Sequence, residues 1–486
     1  MQYEPVIGLE IHAQLLTASK IFCGCSTGFG AAPNTHLCPV CLGLPGALPV
    51  LNHAAVDDAI RAALALDCTI HETSIFARKN YFYPDLPKGY QISQYEQPLA
   101  TEGVIRAHSD YWTPDHDIRI KRVHMEEDAG KLLHEGFPDS DRRSYVDLNR
   151  AGVPLIEIVT EPDLRSAKDA ASLFGYVREL LMAIGVNDGN MEEGSLRCDA
   201  NVSVRPAGTD RLGTKAEVKN LNSFRFLQKA LEYEIERQNM VLKEGGRVAQ
   251  ETRLWDVGSG RTIAMRSKEE AHDYRYFPEP DLPPLVVTPA RIAAVRRQMP
   301  ELPAARRTRL LSVYPLTPTD VVTLTQVVPG LDAYFEETVG AGAEARLAKN
   351  WLVGPVLASL NNAGEGDAAE LRVRLLPAQL ARLLALVENG TISGSIAKEV
   401  FEKMFASGRT ADEIVAAEGL RQIDDESQVL GLIADVLARH ADAVAQYRGG
   451  KTATFGFLVG QVMKATAGKA NPKRVNELLK RALGSG

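Results

Sequence analysis

Residues 6–15 read V-I-G-L-E-I-H-A-Q-L, a stretch in which apolar and less apolar side chains alternate. Strict alternation predicts a half-buried β-strand, because successive side chains of a strand point to opposite faces. Glu10 and His12 then lie side by side on the less apolar face. Such a pair fits two interpretations, an ordinary solvated face or a pair of metal ligands. The other polar strands of the chain bear on that choice.

Further stretches repeat this alternation with charged residues. Arg197, Asp199 and Asn201 share one face of S-L-R-C-D-A-N-V-S-V, and T-K-A-E-V-K-N and V-H-M-E-E-D-A-G-K have the same pattern. Several strands with mixed carboxylates and cations predict one sheet face that is lined for function. The alternative is a set of surface ion pairs, each contributing only about 0.5 kcal/mol.

The residue types on these strands predict a ligand. Carboxylates and an imidazole suited to Mg²⁺ are Glu10, His12, Glu126, Glu127 and Glu217. Cations suited to phosphate oxygens are Arg197, Lys215, Lys219, Arg266, Lys268 and Arg275. Together they suit phosphoryl transfer, which depends mostly on positioning and charge neutralisation. Because the sequence has neither a P-loop nor a G-x-G-x-x-G after a strand, ATP, if it is the phosphoryl donor, would bind on the sheet face.

Four of the six cysteines are clustered between residues 23 and 41. Cys23, Cys25, Cys38 and Cys41 form the pattern C-G-C-x12-C-P-V-C. In a reducing compartment such a quartet favours tetrahedral zinc over disulfides, with free or redox-active thiols as the alternative. Four thiolates leave no open position, so this zinc would hold the loop without taking part in chemistry.

Length and composition predict an ordinary globular protein with two or three domains. The chain has 486 residues and a formal net charge of -7, which argues against non-specific nucleic-acid binding by bulk charge. The sequence contains no apolar run long enough to span a bilayer and no signal peptide. We therefore expect a cytoplasmic enzyme, or part of a larger one, without contact to a membrane.

Changes in sequence style predict three domains, at residues 1–290, 291–408 and 409–486. The proline-rich stretch Phe277–Pro289 is expected to lack regular structure and to end the first domain. The second domain is expected to be helical, with an apolar stripe at Leu380, Leu383 and Leu384. The helical tail is basic, and its cations are Lys451, Lys464, Lys469, Lys473, Arg474, Lys480 and Arg481, which the resemblance described below implies to bind tRNA.

Two loop segments carry an unusual number of tyrosines next to cations. R-K-N-Y-F-Y-P-D-L-P-K-G-Y includes Lys79 and Lys88, and D-Y-R-Y-F-P-E-P-D includes Arg275. Aromatic and guanidinium planes can stack on an unpaired base. The loops therefore indicate contact with a single-stranded RNA end.

Long motifs in this chain resemble one known family. G-L-E-I-H-A-Q-L, H-M-E-E-D-A-G-K, D-L-N-R-A-G-V-P-L-I-E-I-V-T-E-P-D, K-A-E-V-K-N-L-N-S-F and G-F-L-V-G-Q-V-M-K-A-T-A-G-K-A-N-P are similar to the GatB family, the B subunits of the aspartyl/glutamyl-tRNA amidotransferases. The two tyrosine-rich segments and E-G-S-L-R-C-D-A-N-V-S-V-R-P share this resemblance, which runs essentially from end to end. The cysteine quartet resembles that of the zinc-bearing members, which are a subset.

The resemblance implies an α+β fold and a two-step reaction. The fold is a β-sheet cradle like that of glutamine synthetase, followed by a helical domain and a small all-α tail related to YqeY proteins. ATP phosphorylates the side-chain carboxylate of Glu-tRNA(Gln) or Asp-tRNA(Asn), and ammonia then displaces the phosphate. The implied cofactors are ATP, magnesium and zinc. The implied partners are the amidase-like A subunit, which is the glutaminase, and the small C subunit, in a heterotrimer.

The resemblance also implies roles for individual residues. It places the five acidic and imidazole side chains named above in the metal cluster, leaving open which of Glu126 and Glu127 ligates. Asp199 and Asn201 join the ATP-binding residues. Lys79 and Lys88 match lysines at the mouth of an ammonia tunnel, where burial would keep a lysine neutral.

Three points stay open in the sequence. The natural substrate is Glu-tRNA, Asp-tRNA or both. One rival function is a free-standing ligase that makes its own ammonia, although the sequence shows no amidase or cysteine-glutaminase signature. The other is a zinc-containing RNA-binding adaptor without catalysis, against which the clustered carboxylates count.

Overall fold

The structure, a computed structural model, describes residues 2–107, 116–265, 274–363, 368–421, 426–466 and 469–484. The chain divides into two compact units, Met1–Ala305 and Arg306–Gly486. The predicted Arg266 and Lys268 lie outside the described residues. Among the described helices, none is both long enough and apolar enough to cross a membrane.

The strands belong to the first unit. They are β1 (Tyr3–Gln14), β2 (Thr69–Ile70), β3 (Thr73–Ser74), β4 (Ala77–Asn80), β5 (Tyr90–Ser93), β6 (Ala100–Ile105), β7 (Ile118–Glu127), β8 (Lys131–Leu133), β9 (Tyr145–Asp147), β10 (Pro154–Thr160), β11 (Leu196–Pro206), β12 (Ala216–Lys219), β13 (Glu251–Asp256), β14 (Arg261–Ala264), β15 (Phe277–Pro278) and β16 (Leu285–Val286).

The helices follow in chain order. They are α1 (His53–Ala65), α2 (Ala167–Ala183), α3 (Phe224–Lys243), α4 (Pro289–Arg297), α5 (Pro303–Val313), α6 (Pro318–Gln326), α7 (Leu331–Gly340), α8 (Ala345–Trp351), α9 (Leu357–Ala363), α10 (Ala368–Arg374), α11 (Pro377–Glu388), α12 (Gly394–Ser407), α13 (Ala411–Ala417), α14 (Glu426–Arg439), α15 (Ala441–Arg448), α16 (Thr454–Ala465) and α17 (Pro472–Gly484). A π-helical turn, Leu352–Val356, lies between α8 and α9.

A nine-stranded sheet with β1 near its middle organises the first unit. Its strand order is β14-β13-β12-β11-β1-β10-β7-β6-β2, and its neighbours pair antiparallel except β12 and β13. The strand predicted from residues 6–15 is confirmed. Its register places Glu10 opposite Asp199 on β11 and His12 opposite Glu157 on β10. The fold is therefore mixed α and β, with a large antiparallel sheet.

The two faces of this sheet differ in character, as the alternation predicts. Leu9 and Ile11 of β1 and Ile158 of β10 are buried in one apolar core together with residues of α1, α2 and α3. Fully burying each such side chain contributes roughly 1.5–3 kcal/mol. The opposite face carries Glu10, His12 and Glu157, so β1 presents its polar residues on the side away from the helices.

The proline-rich stretch does not end the first unit. The prediction that it lacks regular structure is wrong at two places, because Phe277–Pro278 pairs with β4 and Leu285–Val286 pairs with β3. Helix α4 then packs on α1, with Arg291 Nε donating to Asp57 Oδ1 at 2.7 Å. Because Val295 of α4 lies in the first core, the compact unit continues past the predicted boundary at residue 290.

All the regular secondary structure described in the second unit is helical, as predicted. Helix α11 buries the predicted stripe of Leu380, Leu383 and Leu384 and ends at Asn389-Gly390, where Gly390 adopts φ +76°. The unit contains two apolar clusters, one between Leu310 and Val415 and one between Val429 and Leu483.

Candidate active site

The centre of the polar sheet face holds a tight group of potential metal ligands. One ligand atom each of His12, Glu126 and Glu157 lies within 4.8 Å of the other two. Strand β1 supplies His12, β10 supplies Glu157 and β7 supplies Glu126, and the antiparallel register brings them together. His12 Nε2 lies 3.5 Å from Glu157 Oε2. Two carboxylates and one imidazole at this separation fit a single divalent cation.

His124 extends this group along β7. It lies directly opposite Glu157, and its Nε2 is 3.4 Å from Glu157 Oε2. Burial alone would raise the pKa of Glu157, but the charges and hydrogen bonds of His124 and His12 hold it well below its ordinary value. Burial alone would lower the pKa of His12, but its bond to Glu157 raises it above its ordinary value. Glu157 is therefore the carboxylate that both imidazoles share.

A second polar group lies beside it on β1, β11 and β12. Asn201 Nδ2 donates to Glu10 Oε1 at 2.9 Å, and Thr252 Oγ1 donates to Glu217 Oε2 at 2.9 Å. Lys219 Nζ bridges Asp199 Oδ2 at 2.7 Å and Glu217 Oε1 at 2.8 Å.

Within this second group, Glu10 is repelled by neighbouring carboxylates. Burial and the neighbouring charges of Glu157 and Glu217 raise the pKa of Glu10. Burial would likewise raise the pKa of Glu217, but Lys219 lowers it below its ordinary value. Glu10 thus faces two other carboxylates, an arrangement that a bound cation would stabilise.

The side chains of Glu126 and Glu127 contact different groups of residues. Glu126 lies in the ligand group and accepts a hydrogen bond from Ser93 Oγ at 3.1 Å. Glu127 instead pairs with Lys88, and its Oε1 accepts from the Ile92 backbone N–H at 2.8 Å. Of the two neighbours between which the sequence left the choice open, Glu126 lies in the ligand group and Glu127 does not, because neighbouring side chains of β7 alternate between faces.

Lys79 lies half-buried next to the acidic cluster, where the resemblance implies a neutral amine. Its Nζ lies 5.0 Å from the ring centroid of Tyr274 and 5.8 Å from that of Tyr81. Burial alone would lower the pKa of Lys79, but the nearby Glu126, together with Glu157, raises it above its ordinary value. The attraction to these carboxylates outweighs desolvation and favours the charged form of Lys79.

The described residues among those predicted to bind phosphate lie in more than one place. Arg197 Nη2 donates to Asp128 Oδ1 at 2.9 Å, while the buried Arg197 Nε has no partner among the described residues. Lys215 is exposed and precedes β12. Arg275 is also exposed and adopts φ +44°. Arg197, Lys219, Asp199 and Asn201 lie on strand positions that share the face of Glu10 and His12.

Sequence reasoning placed His124 on the face of Glu126, with Asp128 at the end of the same strand, but it gave neither a role and it missed Glu157. Asp128 is buried, and its Oδ2 accepts from Gln14 Nε2 at 2.7 Å. Glu157 is a single carboxylate inside the apolar run P-L-I-E-I-V. A charge inside an apolar run indicates a buried partner, because burying a carboxylate without one is strongly unfavourable. This signal could have located Glu157 in the sequence.

The four predicted zinc ligands converge. One sulfur each of Cys23, Cys25, Cys38 and Cys41 lies within 4.8 Å of the others, and the Cys38 backbone N–H donates to Cys41 Sγ at 3.2 Å. The thiol of Cys23 lowers the pKa of Cys41 to about 4 by hydrogen bonding. Burial raises the pKa of Cys25 to about 11. Four sulfurs at this separation fit a tetrahedral ion with Zn–S bonds of about 2.3 Å.

Comparison with known proteins shows the family of this chain. A family model described as GatB/GatE catalytic domain matches residues 5–293, and a second, described as GatB domain, matches residues 333–483. A relative from Myxococcus xanthus, named as the B subunit of an aspartyl/glutamyl-tRNA(Asn/Gln) amidotransferase, is 53% identical over 99% of both chains. The chain belongs to the GatB family. A relative of the same name from Geobacter sulfurreducens is 53% identical over 99% of this chain and 100% of its own.

Membership of the GatB family confirms the resemblance found in the sequence. It also confirms the predicted function class, one subunit of a tRNA-dependent amidotransferase that acts in translation as a glutamine-hydrolysing ligase. The alternative of a non-catalytic RNA-binding adaptor is not favoured, because the match to residues 5–293 is to a catalytic domain.

Proposed function

We propose that this chain activates the side-chain carboxylate of Glu-tRNA(Gln), Asp-tRNA(Asn) or both with ATP and then directs ammonia onto the acyl phosphate. The observation that carries this proposal is the group of His12, Glu126 and Glu157 on one sheet face, with Glu10 and Glu217 beside it. Such a face suits phosphoryl transfer, in which positioning and charge neutralisation supply most of the catalysis.

The polar face offers two sets of oxygen and nitrogen ligands for magnesium. His12, Glu126 and Glu157 would hold one ion, and Glu10 with Glu217 would hold another. Bound magnesium would neutralise phosphate charge and orient the phosphoryl group. Hydrogen bonds from Asn201 to Glu10 and from Thr252 to Glu217 keep those two carboxylates oriented in advance.

Cations of the chain itself complete the proposed site. Lys219 bridges two carboxylates at the edge of the second ligand set, where it could contact a phosphate oxygen. The charged Lys79 is held between tyrosine rings close to Glu126, a position suited to stabilising the anionic acyl phosphate. Tyr95 and Tyr276 stack with centroids 4.1 Å apart and would support the RNA end that delivers the carboxylate.

The proposal includes partners and a domain arrangement. Because the sequence shows no glutaminase signature, ammonia would come from an amidase-like A subunit, with a small C subunit completing a cytoplasmic heterotrimer. The first unit would form a cradle like that of glutamine synthetase. A helical domain and a YqeY-like tail would follow, and the tail would bind the tRNA. Zinc at the four cysteines would be structural, since all four sulfurs would be ligands.

ADP formation tests this function. The chain, purified with its partner subunits, is supplied with ATP, magnesium and either mischarged or uncharged tRNA. We expect ADP to form only with Glu-tRNA(Gln) or Asp-tRNA(Asn), and amide to follow when glutamine is added. Binding of mischarged tRNA without any ADP formation would instead support the RNA-binding adaptor.

A further inference from the structure

Just after the four-cysteine loop (residues 23–41), a glycine lies in close contact with the lysine Lys88. Gly43, two residues after Cys41, adopts φ +65°, and a Cβ at this position would lie 2.3 Å from Lys88 Cγ and 3.2 Å from Lys88 Cα. Any larger residue would therefore strain the backbone and push Lys88 away.

Lys88 is held on the other side by Glu127. The side chains of Lys88 and Glu127 are only 8% and 4% exposed, and they form an ion pair. Glu127 is itself fixed, because its carboxylate accepts from the Ile92 backbone N–H and its carbonyl accepts from Gln91 Nε2 at 2.7 Å. Glu127 holds the charged end of Lys88, so the position of the aliphatic stem depends on Gly43, which packs against it.

The cysteine cluster and this ion pair border the same cavity. The cavity has a volume of about 190 Å³, and its wall includes Cys23, Cys41, Gly43, Lys88 and Glu127. A change in the cysteine loop would therefore change the wall next to the lysine.

The second half of the loop is shaped by its own hydrogen bonds. The backbone N–H groups of Leu42, Gly43 and Leu44 donate to carbonyls of Cys38, Val40 and Pro39. This half-loop approaches Cys23 and Cys25 through the sulfurs of Cys38 and Cys41. A metal ion held by the four sulfurs would fix the half-loop, and with it Gly43, to the rest of the unit.

We propose that the four-cysteine loop is a positioning device for Lys88. Metal bound by the cysteines fixes Gly43, and Gly43 presses the Lys88 side chain onto Glu127. The contact is independent of the proposed function. Its consequence for amidation rests on that function and on the family resemblance, which implies that Lys88 lies at the mouth of an ammonia tunnel.

Chemical acetylation of lysines, followed by mass spectrometry of the full chain, tests the positioning. Lys88 labelling is compared with that of the exposed Lys215 in four samples: metal-loaded protein, metal-stripped protein, Gly43→Ala and Gly46→Ala. Gly46 is the matched control, because it adopts φ +85° in the same segment but a Cβ there would meet nothing within 4 Å. Thermal unfolding of both variants shows whether each is folded.

We expect Lys88 labelling to rise roughly tenfold in Gly43→Ala and in metal-stripped protein, as for a closed ion pair that opens locally, and to stay unchanged in Gly46→Ala. Equal Lys88 labelling in the two glycine variants, or no response to metal removal, would overturn the inference. Metal removal keeps the test decisive if Gly43→Ala does not fold.

The ratio of glutamine-dependent to ammonium-dependent amidation separates this inference from the proposed function. The inference predicts that the ratio falls in Gly43→Ala, measured in the assembly with its partner subunits. If Lys88 labelling rises while the ratio stays constant, the positioning holds and the proposed role of Lys88 in ammonia delivery fails. If labelling does not rise, the positioning fails whatever the ratio.

Discussion

Lys88 and Glu127 form a buried ion pair, whereas Glu126, the neighbour of Glu127 on β7, lies in the ligand group with His12 and Glu157. Two neighbouring glutamates of one strand therefore serve two different places in the first unit. Glu126 belongs with His12 and Glu157, whereas Glu127 belongs with the cavity at the cysteine loop. A single strand thus connects the proposed phosphoryl-transfer site with the proposed entry of ammonia.

Asp128 is predicted to stabilise the fold through Arg197. Burial alone would raise the pKa of Asp128, but Arg197 and Arg150 hold it below its ordinary value. The unfolded chain then binds more protons than the folded chain, so this stabilisation is present above about pH 3.9 and is lost as the pH falls through the lower folded-state pKa. We expect Asp128→Asn to lower the free energy of unfolding at neutral pH by about 3–5 kcal/mol, measured by urea unfolding.

Asp58 serves as a control, because its pKa shift has the opposite sign to that of Asp128. Burial raises the pKa of Asp58 to about 6, so the folded chain binds more protons there than the unfolded chain. Asp58→Asn should therefore gain stability relative to the original chain as the pH rises from about 4 to 6. An Asp128→Asn variant as stable as the original chain would contradict the buried pairing with Arg197.

The cysteine cluster is predicted to bind one zinc ion per chain. Replacing both Cys38 and Cys41 by serine removes two of four sulfurs, so we expect zinc to be lost, as measured by elemental analysis. Cys68→Ser is the matched control, because that thiol lies outside the cluster. Full zinc content in the double variant would show that the metal is held elsewhere.

Lys79 is predicted to act as a fixed positive charge. Lys79→Arg should keep most of the ammonium-dependent amidation, whereas Lys79→Met should lower its rate roughly a hundredfold through lost charge stabilisation. Because the pKa of Lys79 is raised, its titration should not shape the rate profile between about pH 6 and 9. A change of the amidation rate between these pH values that is present in the original chain and absent in Lys79→Met would instead support a neutral amine.

The helical tail is predicted to bind tRNA phosphates. Helix α13 contributes Ile414 and Val415 to the cluster between Leu310 and Val415, so a removable tail begins after Arg421 rather than at residue 409. We expect removal of residues 422–486 to weaken tRNA binding and to flatten its dependence on salt, measured by titration at several salt concentrations. Unchanged affinity would mean that the tail's basic residues form only a solvated face.

Local patterns predicted much of the fold and several of the side chains that lie on its polar sheet face. Alternation located β1 and the shared face of Glu10 and His12, because a strand has a fixed side-chain period. Cysteine spacing located the four converging sulfurs. Apolar spacing and Asn389-Gly390 located α11 and its end.

The remaining part depended on which strands are neighbours. Glu157 lies beside His12 only because β10 pairs with β1. The apolar run around Glu157 does not indicate which side chain its carboxylate contacts. Lys79 was predicted to be neutral from burial alone, but the fold brings Glu126 close to it and reverses the sign of the shift. Electrostatics of this kind follow from tertiary pairing and not from spacing along the chain.

The central claim is that the ligand group around Glu157 supports ATP-dependent activation of the acylated tRNA. The most direct test is the rate of ADP formation driven by mischarged tRNA in Glu157→Gln, with Glu236→Gln on the exposed side of α3 as the matched control. We predict that Glu157→Gln lowers this rate a hundredfold or more, roughly the loss of one catalytic-metal ligand, while its affinity for tRNA and the control's rate stay unchanged. ADP formation at the original rate in Glu157→Gln would contradict the account.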